Sequence, residues 1–205
     1  MELLLVRHAL PVRVEGAGGP ADPPLAEEGR AQAEALAAAW AGDVDAIVAS
    51  PLLRARQTAA PLAEALGVEV AIEDDLAEMD RDADAYIPLE ELRQNPTAWA
   101  EAVEAWVGPA GEELRATFRR RVVAAVDRVV AAHRGQRVAV VCHGGTINAA
   151  LAEVLGLDQQ LFFEPAYTSV SRVLASAAGA RQLLSVNETW HWDRRARATG
   201  PDPAT

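Results

Sequence analysis

Leu3-Leu4-Leu5-Val6 is a short apolar run that stops abruptly at Arg7 and His8, with Pro11 just beyond. Its length and its boundary predict a buried strand over residues 2–7. Pro11, Gly16, Gly18, Gly19, Pro20, Pro23 and Pro24 then make residues 9–25 a loop. The pattern next turns helical: residues 26–41 are Ala-rich, open on Glu27 and Glu28, and carry Leu36 and Trp40 four apart. A second strand follows at 45–49, around Ile47 and Val48. Ser50-Pro51 reads as a helix start, Ser as the cap and Pro at the first helical position, with the helix reaching Leu66 before Gly67. Val68, Val70 and Ile72 alternate as a third strand near a sheet edge.

Residues 74–111 lose this regularity. They are acidic and are divided by Pro88, Pro96 and Pro109, which predicts an insertion capping one edge of the sheet, with Trp99 and Trp106 in its own small core. From Glu112 to Arg134, Leu114, Phe118, Val122, Val126 and Val130 recur every four residues and predict a long amphipathic helix ended by Gly135. Residues 137–142 form a continuous apolar run of the buried parallel type. It leads into His143-Gly144-Gly145 and a helix from about Thr146 to Leu155. Residues 168–176 and 181–187 read as a hairpin around Gly179, whose edge offers a surface for a homodimer. The Arg- and Pro-containing stretch 193–205 reads as a disordered tail. Strands alternating with helices in this order predict one domain over 1–192. Its class is α/β, a three-layer sandwich with a mainly parallel central sheet, helices on both faces and a short capping insertion at 74–111.

Composition narrows the partners. The 205 residues suit one core, and a net charge of −11 argues against nucleic acid or an anionic membrane as partner. All basic side chains are Arg; with abundant Ala, Gly and Pro this is the composition of a GC-rich bacterial coding sequence. The single cysteine, Cys142, excludes an intramolecular disulfide and a CxxC metal site. No apolar run has membrane-spanning length, and the first run meets Arg7 too early for a signal peptide, so the expected address is cytoplasmic.

Chemistry enters where strands end. Arg7 and His8 close the first strand, Arg54 follows the second, and His143 follows the strand at 137–142. In an open α/β sheet that edge binds ligands. Two Arg and two His around one point suit a phosphoryl group, because guanidinium matches phosphate oxygens and stays charged. Gly144 and Gly145 add bare N–H groups at a helix start. A neutral imidazole facing a bound phosphoryl group can attack phosphorus, and nearby cations favour the neutral form. A proton donor for the leaving alkoxide is still needed. Glu78 is the best candidate, with Asp80 and Asp82 close by to raise its pKa; a plain solvated acidic loop is the other reading of that stretch.

Leu5-Val6-Arg7-His8, Pro24-Leu25 with Gly29 and Gln32-Ala33, residues 50–59 (SPLLRARQTA) and Val141-Cys142-His143-Gly144-Gly145 occur in that order. Together with Asn187-Glu188-Thr189-Trp190-His191, they resemble the histidine phosphatase superfamily, the phosphoglycerate-mutase-like branch 1. The resemblance implies a phosphomonoesterase that works through a phosphohistidine on His8, with no metal and no cofactor, on a small phosphorylated metabolite. Arg7, Arg54 and His143 would hold the phosphoryl oxygens and Glu78 would be general acid, then general base. The chain departs from the family pattern at Ala9, where Gly is usual, and in the loop, where the mutase-type Asn is missing and Arg13 is the available anion contact. Two alternatives stay open: a cofactor-dependent phosphoglycerate mutase, and an inactive homologue that binds phosphorylated ligands.

Overall fold

The computed structural model describes residues 1–192, apart from the side chains of residues 90 and 107. The expected tail at 193–205 lies outside the described residues. The elements run β1 (Glu2–Arg7), α1 (Glu27–Trp40), β2 (Ala46–Ala49), α2 (Leu53–Leu66), β3 (Val70–Ile72), α3 (Leu89–Leu92), α4 (Pro96–Val107), α5 (Glu112–Ala132), β4 (Arg137–Cys142), α6 (Gly144–Leu155), β5 (Val170–Ala175) and β6 (Arg181–Glu188). One six-stranded sheet has the order β3-β2-β4-β1-β5-β6. Its first four strands are parallel, and β5 and β6 close it as an antiparallel hairpin.

Alternation along the strands divides the interior into two layers. Leu3 and Leu5 on β1, with Val138 and Val140 on β4, face α5 and α6 through Phe118, Val122, Ile147 and Leu151. Leu4 and Val6, with Ala139 and Val141, face α1 and α2 through Leu36, Trp40, Ala59 and Leu62. Burial on both faces is why these strands read as unbroken apolar runs. The expected class, a mainly parallel sheet covered on both faces, is the observed one. Among the described residues no helix is long and apolar enough to cross a membrane.

Two expected boundaries and one expected buried position differ. Helix α2 begins at Leu53, not at Pro51; Ser50 Oγ accepts from Leu52 N–H at 3.3 Å and lies 2.7 Å from His143 Nε2. The Leu53 N–H donates instead to the Asp22 carboxylate, 2.8 Å away on the loop after β1. Helix α6 begins at Gly144, two residues ahead of Thr146. On α5 the four-residue spacing drifts about 40° per step against a 3.6-residue turn. Leu114 is therefore 59% exposed, while Phe118, Val122, Ala125, Val129 and Val130 form the buried stripe.

The chain after β1 is pinned against α1 and α2. Ala9 N–H donates to Thr58 Oγ1 at 2.9 Å, Leu10 N–H to Gln32 Oε1 at 3.0 Å, and Leu25 N–H to Gln57 Oε1 at 2.7 Å. Ala26 N–H donates to the Leu10 carbonyl, and Gly29 lies against that same carbonyl, so a Cβ there would overlap backbone. Gly29→Ala is expected to destabilise the protein by about 1–3 kcal/mol. Gly42→Ala, where a Cβ meets open space, should change stability by less than about 0.5 kcal/mol. Urea unfolding of the two variants checks this.

Candidate active site

Sheet register assembles the site. Arg7 pairs with Cys142 across β1 and β4, so the next residues, His8 and His143, leave the sheet side by side with ring centroids 5.1 Å apart. Ala49 pairs with Val141, which sets Ser50 beside this pair and Arg54 in the first turn of α2. Arg7, His8, Arg54 and His143 are all buried.

His8 Nδ1 lies 2.8 Å from the Ala9 carbonyl oxygen. A carbonyl only accepts, so Nδ1 carries the proton and Nε2 keeps its lone pair in the neutral ring. Burial, then the positive charges of Arg54 and Arg7, hold His8 well below the usual imidazole range. His143 is lowered likewise, first by burial and then by Arg54. Its Nε2 bonds Ser50 Oγ, which can donate or accept, so Nδ1 is free to present an N–H to an anion.

Arg7 donates to the Pro165 carbonyl at 2.6 Å and stacks on Tyr167, its guanidinium carbon 3.9 Å from the ring centre. Arg54 lies over Tyr86 at 4.8 Å, and its nearest carboxylates, Asp80 and Asp22, stand 3.8 and 3.9 Å away. Arg7 Nε, Arg54 Nε and His143 Nδ1 are buried without a hydrogen-bond partner. Three orphaned nitrogens beside one imidazole make a strongly electropositive recess, since buried polar groups are otherwise almost always paired.

Glu78 faces this recess from the segment between β3 and α5. Its Oε2 accepts from Gly145 N–H at 2.7 Å and its Oε1 from Met79 N–H at 2.8 Å. The carboxyl thus occupies the N-terminus of α6, the place a helix offers to an anion. Burial first, then the Asp80 charge, raises its pKa, against the pull of the two N–H groups. A Cβ on Gly145 would push the Glu78 carboxyl aside, whereas one on Gly144 would meet only Pro165 Cδ at 4.0 Å.

Five of the seven expected site residues, Arg7, His8, Arg54, Glu78 and His143, gather here with Gly144 beside them. Arg13 does not. Its side chain is half exposed and pairs with Glu15 and with Glu91, so two carboxylates on the loop and on α3 hold it away. Ser50 and Thr58 are site-building residues that the motif contained but periodicity did not single out. Tyr86 and Tyr167 are isolated aromatics in irregular stretches and carried no signal. Trp99 and Trp106, expected inside the insertion core, pack edge to face at 6.0 Å and help line a cavity of about 400 Å³ that opens from His8 and Glu78. His191 is buried on Thr168 Oγ1 at 3.1 Å, and burial lowers it to about 4. Among the described residues no cluster of three or more His, Cys, Asp or Glu is placed to hold a metal ion.

The profile of the histidine phosphatase superfamily (branch 1) matches residues 3–189. Phosphoserine phosphatase 1 of Hydrogenobacter thermophilus is 31% identical over 202 residues, covering 93% of this chain and 94% of that protein. A mycobacterial glucosyl-3-phosphoglycerate phosphatase structure superposes with a TM-score of 0.72 at 25% identity, over 92% of this chain and 99% of the other. Phosphoserine phosphatase from Entamoeba histolytica, in complex with 3-phosphoglyceric acid, gives a TM-score of 0.72 at 21% identity, over 93% and 98% of the two chains. Some mycobacterial relatives are longer, and the match covers 54% of their length.

The recess predicts its own ligand. Orthophosphate should bind wild type, and Arg54→Gln should weaken it about 10- to 100-fold, the loss of a charge-assisted contact. Arg13→Gln should leave the affinity unchanged. Isothermal calorimetry with inorganic phosphate reads both.

Proposed function

The chain belongs to the histidine phosphatase superfamily, branch 1, and from that premise we propose that it hydrolyses small phosphate monoesters through a phosphohistidine on His8, without a metal ion. The phosphatases among its relatives support the activity. The observation that carries the mechanism is the bare Nε2 of His8 set among the unpaired nitrogens of Arg7, Arg54 and His143.

In the first step the Nε2 lone pair attacks phosphorus. The P–O bond to the leaving group breaks, and Glu78 passes its proton to that oxygen. Arg7, Arg54 and His143 meet the three equatorial oxygens, whose charge they stabilise before the reaction begins. In the second step the Glu78 carboxylate takes a proton from water, the resulting oxygen attacks phosphorus, and the N–P bond breaks. Neutral His8, protonated Glu78 and inorganic phosphate are restored after protonation balance. Both hydrogen bonds to Glu78 come from backbone, so the same carboxyl is held in place as acid and as base.

The mutase alternative is not favoured. A mutase must hold a second anionic group of its bisphosphate intermediate, and the residue available for that, Arg13, is turned toward Glu15 and Glu91. A cytoplasmic setting fits the lone, buried Cys142.

Hydrolysis of p-nitrophenyl phosphate in EDTA is expected from wild type and should fall to background in His8→Ala; activity that survives the substitution would sink the mechanism. Glu78→Gln should slow alkyl phosphates by about 10²- to 10⁴-fold and p-nitrophenyl phosphate far less, because a nitrophenolate leaves without protonation. Gly145→Ala should act in the same direction by displacing the carboxyl. The pH profile follows from the two shifts. His8 is active when deprotonated and its pKa is lowered, so it stays competent below pH 6.5; Glu78 is active when protonated and its pKa is raised, so it stays competent above pH 4.5. Alkyl phosphate turnover should therefore peak on the acid side of neutrality and decline as pH rises through the Glu78 pKa. Glu78→Gln should abolish that alkaline decline in steady-state rates.

A further inference from the structure

The phosphoryl recess accounts for only the floor of the cavity of about 400 Å³. The remaining space receives whatever the phosphate is attached to, and its walls differ in character from the floor. Met79 and Ile87 stand on one side, Trp99, Val103 and Trp106 rise from α4, and Phe162 comes from the segment after α6. This wall is apolar throughout.

The polar groups that do reach it are already engaged or carry the wrong sign for an anion. Asn148 has no capacity left: its Nδ2 donates to the carbonyls of Gly144 and Phe163, and its Oδ1 accepts from the N–H groups of Phe162 and Phe163. The charged side chains on the lining besides Arg7 are three carboxylates, Glu78, Asp80 and Glu164. Arg93, which pairs with Glu164, packs over Trp99 outside that lining. Arg7 itself is fixed at the floor by the Pro165 carbonyl and Tyr167.

A leaving group with its own carboxylate would meet these acids with no cation to answer it. A sugar would lay hydroxyls on the apolar wall, and only those that reach Glu78, Asp80 or Glu164 would find an acceptor. An alkyl or aromatic alcohol would instead displace water from apolar surface. We infer that this site selects phosphate monoesters of bulky apolar or aromatic alcohols over those of small carboxylates that carry no cation of their own, such as 3-phosphoglycerate. The inference rests on the phosphatase reading above and sets its substrate class.

The test compares kcat/KM for ethyl, butyl and hexyl phosphate, whose leaving groups share one chemistry, with 2-phenylethyl phosphate and 3-phosphoglycerate. Specificity should climb by roughly two- to fourfold for each added methylene, the range for burying one such group. 2-Phenylethyl phosphate should exceed 3-phosphoglycerate by about 100-fold or more, as expected when a site leaves a substrate's polar groups unpaired. Trp106→Ala should flatten the alkyl series, lowering the hexyl-to-ethyl ratio by about tenfold, the effect of a lost apolar wall. A wild-type series that is flat with chain length, or 3-phosphoglycerate matching hexyl phosphate, overturns the inference and leaves the phosphatase reading intact. No turnover of any ester overturns both.

Discussion

The parallel register of β1 on β4 is the constraint from which the chemistry of this protein descends. It brings two imidazoles to one point at the end of two buried strands. A slip of one residue would exchange the layers that every β1 side chain faces. Leu3 and Leu5 would then turn toward α1 and α2, and Leu4 and Val6 toward α5 and α6, against the packing of both layers. The register that packs the core is therefore also the register that pairs His8 with His143. Stability and site geometry are fixed by the same set of contacts.

Burial then acts oppositely on imidazole and carboxyl. It lowers the pKa of His8 and His143, whose charged forms are cations, and raises that of Glu78, whose charged form is an anion. One low-dielectric setting thus favours the neutral form of both, the pair of states the proposed mechanism needs. The neighbours sharpen the difference: guanidinium groups stand beside the imidazoles, and Asp80 beside the carboxyl. Cys142, buried between them on β4, is pushed far up as a thiol and stays chemically inert.

Much of this was legible in the sequence because strands buried on both faces leave continuous apolar runs, and a cation or imidazole at the end of such a run is conspicuous. Arg7-His8 and His143 were visible for that reason, and Arg54 through the motif around it. The start of α2 falls past the expected one: Ser50 does hold the Leu52 N–H, but the helix opens at Leu53 on an Asp22 carboxylate that no local pattern announces. Arg13 looked available because its partner Glu91 lies 78 residues downstream. Trp99 and Trp106 were recognisable as aromatics of the insertion. Whether such residues fill a core or line a cavity depends on what stands opposite, and that is a tertiary fact.

The missing cap on α2 has a mechanical consequence. With Ser50 turned to His143, the first N–H of the helix is held by Asp22, a residue of the loop after β1. The same Asp22 oxygen stands 3.9 Å from the Arg54 guanidinium. The loop therefore supplies both the partner of the helix end and one of the two carboxylates beside Arg54. Asp22 thus joins two tasks on one carboxylate: it holds the opening turn of a helix and, together with Asp80 at 3.8 Å, it tempers the charge of Arg54.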